Sequence, residues 1–252
     1  PEGEQCCLCE QTWYRSGFCH SCWSQISLLK KQDFCRICGR LLYVKGQKCS
    51  ECDSNTYAFD AARAVGPYEG IFRDLVYQLK YVGKQSLAQP MGRLMADLVL
   101  EEKGCRGTDL LIPVPLALSK LKARKFNQSL LLAREIGRLV GLPVAEQLLV
   151  RVRETVIQAK LTRTQRQTNL EGAFAVAADS QQQDATLLRG KKIILVDDVL
   201  TTGSTASEGA GVLKAAGARE VRVITWATGF SAGLTKNIGA IRGGKWFEPE
   251  KL

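Results

Sequence analysis

The sequence predicts an α/β protein: a parallel sheet flanked by helices, with a small cysteine-rich module at its N-terminal end. Three observations predict it. Residues 193–196 (Ile-Ile-Leu-Val) form an unbroken apolar run after Lys191 and Lys192, as expected of a strand buried on both faces. Between residues 61 and 226, helix-spaced apolar segments alternate with short strand-like ones, the pattern of βαβ units. Nine of the ten cysteines fall in the first 52 residues, eight of them in Cys-x2-Cys pairs.

Taken in order, residues 61–65 read as a strand. Residues 70–81 and 87–102 carry apolar positions at helical spacing, namely Ile71, Leu75, Leu79 and then Leu87, Met91, Leu94, Met95, Leu98. Residues 109–114 form the next strand, closed by Pro113 and Pro115. An amphipathic helix over 127–140 stops at Gly141, and 147–150 is again a strand. Residues 155–170 have no period and few core-forming side chains, so they are expected to form a mobile loop. A strand at 174–177, a polar turn at 179–184, strands at 191–196 and 220–226, and a helix at 206–216 ending at Gly217 complete the core. The expected division is a double zinc-ribbon module over 1–58, an α/β domain over 59–230 and a loosely ordered tail over 231–252.

The cysteines pair as Cys6/Cys9, Cys19/Cys22, Cys35/Cys38 and Cys49/Cys52. Two thiolates two residues apart can share one ion, and two such pairs complete a tetrahedral four-sulfur site, so two structural zinc ions are expected. Sequential pairing is the simplest, and a crossed pairing of first with third and second with fourth stays open. A disulfide framework would require secretion, and the N-terminus is acidic and cysteine-rich rather than basic and then apolar. No stretch approaches 18 apolar residues, so no membrane span is expected and the chain is placed in the cytoplasm. Cys7 reads as a bystander, with Cys7-x-Cys9 leaving a second ligand choice open, and Cys105 as a lone thiol. His20, the only histidine, could replace a neighbouring thiolate but reads first as a packing or solvent-facing residue.

Asp197 and Asp198 stand where the strand over 191–196 is expected to surface, and Thr201-Thr202-Gly203-Ser204-Thr205 follows. Backbone N–H groups, hydroxyls and a helix N-terminus suit a phosphate, while paired carboxylates can accept from vicinal ribose hydroxyls or help hold a divalent metal. An ordinary capped strand-to-helix connection is the bland alternative, but adjacent carboxylates at a buried strand end are costly unless used.

This segment resembles the signature of type I phosphoribosyltransferases, which bind phosphoribosyl pyrophosphate (PRPP). The resemblance implies that Thr201, Thr202, Gly203, Ser204 and Thr205 take the 5′-phosphate, and that Asp197 and Asp198 face the ribose hydroxyls.

Between residues 120 and 166, eleven Lys or Arg face three acids, which accounts for +8 of the net +10. Lys120, Lys122, Arg124 and Lys125 follow Pro113-Val114-Pro115 at a strand's end, where cations can neutralise a departing pyrophosphate. The same charges would attract a nucleic-acid backbone. Lys160, Arg163 and Arg166 are expected to close over the bound pyrophosphate.

The Pro-Val-Pro stretch and Arg124-Lys125-Phe126-Asn127-Gln128 are similar to the Pro-x-Pro … Arg-Gly-Phe-Asn-Gln pattern of the competence protein F (ComF) family. Tyr68-Glu69-Gly70, Leu79-Lys80-Tyr81, Thr155-x2-Gln158-x2-Leu161, Arg166-x2-Asn169, Gly172-Ala173-Phe174 and the four cysteine pairs extend the similarity. Lys125 replaces a usual glycine, and Lys120 and Lys122 stand where arginines are common.

The resemblance implies a role in natural transformation, in handling incoming single-stranded DNA beside a competence helicase or other transformation proteins. It also implies Mg2+-assisted displacement of pyrophosphate if catalysis occurs, with Arg124, Arg163, Arg166, Asp197 and Asp198 as catalytic candidates and Lys120 and Lys122 on PRPP. Trp226, Ala227 and Thr228, at the end of the last strand, are the expected wall for an acceptor base, with Trp226 as a plain core residue the alternative. Two other readings stay open: a non-catalytic protein with a relic or sensing PRPP site that binds single-stranded DNA, and a nucleotide-salvage phosphoribosyltransferase.

Overall fold

The computed structural model describes residues 5–12, 14–30, 33–42, 48–53, 55–153, 172–177 and 187–229. Four parallel strands form the sheet: β1 (Ala61–Pro67), β2 (Leu110–Pro113), β5 (Lys192–Leu200) and β6 (Glu220–Thr228), in the order β1-β6-β5-β2. β5 pairs with β6 from Lys192↔Glu220 to Leu200↔Thr228, and with β2 from Leu110↔Ile193 to Pro113↔Val196. Successive side chains alternate between faces. Ile194, Val196, Ile224 and Trp226 join one core, while Ile193, Leu195, Val221 and Val223 join the other.

On the first face lie α3 (Gly70–Tyr77), α4 (Ala88–Glu101) and α6 (Gln128–Val140), with α1 (His20–Lys30) reaching the same core through Ile26. Gly92 lets α4 and α6 approach closely, since a Cβ there would stand 2.7 Å from the Glu135 side chain. α7 (Ser204–Ala215) covers the second face together with a ribbon of β3 (Leu149–Arg151) and β4 (Phe174–Val176). The expected strands at 147–150 and 174–177 thus exist but pair antiparallel with each other, outside the parallel sheet. The expected loop at 155–170, the turn at 179–184 and the tail from 231 lie outside the described residues.

The cysteine-rich segment is packed on this core. Cys6, Phe18, Cys19, Cys22 and Ile26 share the cluster that holds Phe72, Met91 and Trp226. The Cys35–Cys38 turn lies along β1, an edge strand, where Ala62 donates its N–H to the Ile37 carbonyl at 2.7 Å and covers part of that edge. Gly39, at φ +70°, is required here, because a Cβ would meet the Ala62 carbonyl at 2.8 Å.

Residues 118–124 form a short helix, α5 (Leu118–Arg124), with no buried residue. It ends at Lys125, whose φ of 67° is left-handed. That is the backbone conformation a glycine takes freely, which accounts physically for the glycine of the related pattern. Lys125→Gly is therefore expected to stabilise the protein by roughly 0.5–1 kcal/mol, the left-handed penalty of about 1–2 kcal/mol being partly offset by glycine's larger unfolded entropy. Lys125→Ala should give no such gain, and denaturant titration of the two variants checks this.

Candidate functional site

The carboxyl ends of β5 and β2 carry the site. Asp197 and Asp198 lie within β5 as it continues to Leu200, rather than beyond its end. Asp198 follows the Ile194–Val196 stripe by the strand's period of two and is only 3% exposed. A buried carboxylate needs a partner, and Lys80 supplies it: its Nζ pairs with Asp198 Oδ2, while Gln128 Nε2 donates to Oδ1 at 3.1 Å. Burial alone would raise the Asp198 carboxyl, but the Lys80 charge and these hydrogen bonds hold it below the usual range. Burial would likewise lower Lys80, yet the Asp198 and Asp197 charges raise it.

Asp197, half-buried, accepts from Ser129 Oγ at 2.8 Å and from the Asp198 N–H at 2.8 Å. Burial, and then the charge of Asp198, push it up to about 7. Asp197 is therefore the more readily protonated of the two, and Asp198 is the carboxylate that pairs with the Lys80 ammonium.

Sequence explains how these partners arrive. Lys80 sits in a π-helical turn (Gln78–Val82) that prolongs α3, four residues beyond Val76 and eight beyond Phe72, both buried. A lysine continuing an apolar stripe was the available signal, and sequence reasoning missed its role. Asn127 caps α6, accepting from the Ser129 N–H at 3.0 Å and donating to the Val114 carbonyl at 3.0 Å. This fixes Gln128 and Ser129 under the two carboxylates; they were missed as partners because nothing local links them to β5.

The residues expected to take a phosphate follow directly. Gly203, at φ +82°, precedes α7, and the Tyr57 ring lies 2.7 Å from where its Cβ would be. Thr202 and Ser204 hydroxyls are 2.9 Å apart, and Thr201, Thr202, Ser204 and Thr205 all retain solvent access.

Arg124 lies over the Tyr81 ring at 5.2 Å and donates to Gln128 Oε1 at 3.1 Å, so it joins the Asp198 network. Lys120 is exposed on α5, and desolvation together with the nearby cations Arg124, Arg151 and Lys80 lowers it. Lys122 is exposed on α5. Arg163 and Arg166, with Lys160, lie outside the described residues. The expected wall for an acceptor is corrected: Trp226, Ala227 and Thr228 are wholly buried, and Trp226 donates to the Phe72 carbonyl at 3.0 Å within the core.

The cysteines form two groups, Cys6/Cys9/Cys19/Cys22 and Cys35/Cys38/Cys49/Cys52, which is the sequential arrangement. Thiolates about 2.3 Å from one tetrahedral ion stand about 3.8 Å apart. The sulfur separations of 3.5 Å for Cys9–Cys19, 3.8 Å for Cys9–Cys22, 3.7 Å for Cys35–Cys52 and 3.5 Å for Cys38–Cys49 fit that edge. Each group can hold a metal ion. His20 packs edge-on against Tyr14 and belongs to neither group, while burial pushes the bystander Cys7 up to about 12.

A strand-borne acidic pair followed by a hydroxyl loop at a helix N-terminus defines a protein of phosphoribosyl transferase type, and a Phosphoribosyl transferase domain model matches residues 139–248. Competence protein F of Haemophilus influenzae is 29% identical over 212 residues, covering 83% of this chain and 89% of that protein. The DNA utilization protein YhgH of Salmonella typhimurium is 30% identical over 223 residues, covering 86% and 94%. The chain belongs to the competence protein F family, together with these DNA utilization proteins. Among solved structures, a B. subtilis glutamine PRPP amidotransferase complexed with ADP and GMP matches at 19% identity and a TM-score of 0.37, over 55% of this chain and 26% of that one.

Lys80→Met should cost about 3–5 kcal/mol near pH 8, because it strands a buried carboxylate. The loss should shrink on acidification, since an unpaired Asp198, raised by burial, is relieved once it takes up a proton. Lys80→Met with Asp198→Asn should recover most of the loss. Denaturation at two pH values would refute the pairing if the two changes proved additive.

Proposed function

We propose that this protein binds PRPP with Mg2+ through a phosphoribosyltransferase-type site and acts on incoming single-stranded DNA during natural transformation, in the cytoplasm. The observation that carries the PRPP reading is the juxtaposition of Asp197 and Asp198 on β5 with the Gly203 loop at the head of α7. Thr201, Thr202, Ser204 and Thr205 with the loop's N–H groups take the 5′-phosphate, and the acidic pair takes the ribose hydroxyls. Lys80, Lys120 and Arg124 lie near one another beside the acidic pair, where pyrophosphate would sit, with Lys122, Arg163 and Arg166 assigned there on sequence grounds. If a nitrogen nucleophile attacks C1, the C1–oxygen bond to pyrophosphate breaks and these cations stabilise the departing charge. Mg2+ would supply further neutralisation of the pyrophosphate oxygens.

The competence and DNA-utilization names of the relatives support the DNA role. The two cysteine groups hold structural zinc on this reading, in a module over 1–58 attached to a core over 59–230. Among the described residues, no helix is long and apolar enough to cross a membrane. Two observations also favour a non-catalytic, sensing use of the PRPP site. Asp198 is engaged by Lys80 rather than open to a ligand. In addition, Tyr77 and Tyr81, 56% and 67% exposed with rings 5.3 Å apart, adjoin Arg124 and the basic α5 as a surface on which bases can stack.

Asp197→Asn with Asp198→Asn should abolish the rise in melting temperature that PRPP and Mg2+ give the parent, because only native-state binding produces it. The double variant should keep its affinity for single-stranded DNA. Undiminished PRPP binding by this variant would falsify the assignment.

Lys120, Lys122 and Lys125 replaced together by Gln should flatten the salt dependence of single-stranded DNA binding by about 0.7 per lost phosphate contact. Tyr81→Ala should instead weaken binding about tenfold without altering the slope, as expected when a stacking partner is lost. Fluorescence anisotropy across a salt series separates the two effects, and unchanged binding by both variants would move the DNA surface elsewhere.

A further inference from the structure

Arg40 is a charged side chain only 4% exposed, placed by the Cys38-Gly39-Arg40 turn between the second cysteine group and the phosphate loop. Its Nη1 donates to Cys38 Sγ at 3.5 Å and to the Tyr57 hydroxyl at 3.5 Å, and pairs with Glu51 Oε2 at 2.6 Å. Its Nη2 donates to the main-chain carbonyl of Thr201, the first residue of the loop. The preceding carbonyl, that of Leu200, is held independently by the Gly229 N–H at 3.0 Å and the Thr228 hydroxyl at 3.2 Å. Tyr57 completes the connection. Its ring lies against Gly203, stacks on Phe59 with centroids 4.7 Å apart, and bears the hydroxyl that Arg40 contacts.

Burying a guanidinium is expensive, and a loop carbonyl can be satisfied by a neutral donor at far less cost. Glu51 balances the guanidinium charge, and a buried cation makes further physical sense here because its remaining donors answer two more partners, Cys38 and Thr201. Four thiolates around a divalent ion carry a net negative charge, which Arg40 offsets at Cys38 while its other nitrogen fixes Thr201. The same turn that presents Cys38 to the ion thereby presents Arg40 to the loop. Loss of the ion would free the turn and leave the Thr201 carbonyl without its charged donor.

We propose that Arg40 is a positioning residue that sets the phosphate loop from the second cysteine group, so that metal at Cys35, Cys38, Cys49 and Cys52 governs affinity for a sugar 5′-phosphate. This rests on the PRPP reading and adds a long-range control to it.

The test uses the full chain with zinc measured by elemental analysis, and calorimetric titration with ribose 5-phosphate, with PRPP and Mg2+, and with Mg2+-pyrophosphate. Arg40→Gln should retain two equivalents of zinc, bind ribose 5-phosphate and PRPP about tenfold or more weakly, and bind Mg2+-pyrophosphate as the parent does. Arg40→Lys should recover part of the loss. Should Arg40→Gln not fold, chelating zinc from the parent and restoring it should abolish and then restore ribose 5-phosphate binding. Equal affinity of parent and Arg40→Gln for ribose 5-phosphate, or an equal loss for pyrophosphate, overturns the proposal while leaving the PRPP reading standing. A parent that binds neither ribose 5-phosphate nor PRPP overturns both.

Discussion

A strand buried on both faces that ends in two adjacent carboxylates imposes the constraint on which this structure turns. β5 carries Ile193 to Val196 into two cores at once, and its period of two then places Asp198 where another apolar side chain would continue the stripe. Repulsion between the two acids adds to the desolvation of each. The fold answers from three directions: Lys80 from the π turn after α3, Gln128 and Ser129 from the first turn of α6, and the Asp198 amide from β5 itself. Each of those elements is held in turn by apolar contacts to the same sheet face, so the core and the acidic pair stabilise one another.

That arrangement has a functional consequence. The ammonium that makes the buried carboxylates tolerable also engages Asp198, so a ligand that needed both acids would have to compete with Lys80 or recruit it. On the proposed PRPP reading, the anionic part of the ligand would offer Lys80 a second partner beside Arg124 and Lys120. The Lys80 ammonium thus balances the Asp198 carboxylate, with Arg124 and Lys120 close by.

The cysteine-rich segment contributes to the site as well as to the surface. Its first group shares a core with α3 and α4, and its second runs along β1 and reaches the phosphate loop through Arg40 and Tyr57. In a small metal-dependent segment the ion supplies the rigidity that a larger core would otherwise provide. With an ion held there, that rigidity would reach the loop at the head of α7 through Arg40 and Tyr57.

Much of this was legible in the sequence because it is written in local patterns. The apolar run at 193–196, the Thr/Ser-rich loop around Gly203 and the Cys-x2-Cys spacing each encode their own geometry within a few residues, and those elements stand where the patterns put them. The sequential grouping of the cysteines was one of two local possibilities, and only packing selected it. Lys125 was visible as a departure from a related pattern, while its left-handed backbone came from the structure. The Trp226 wall failed because an aromatic at a strand's end looks alike whether it faces a ligand or the helix behind it; Phe72 decided the matter. Likewise β3 and β4 carried a strand signal with no statement of partner, and pairing made them a separate ribbon. By itself the sequence determined the fold class, the two sulfur groups and the position of the Gly203 loop between strand and helix, because short-range periodicity and spacing specify them. Only the tertiary structure decided which buried charges meet, Lys80 with Asp198 and Arg40 with Thr201, because those pairs are separated by more than 100 residues and exist only once the sheet has brought their elements together.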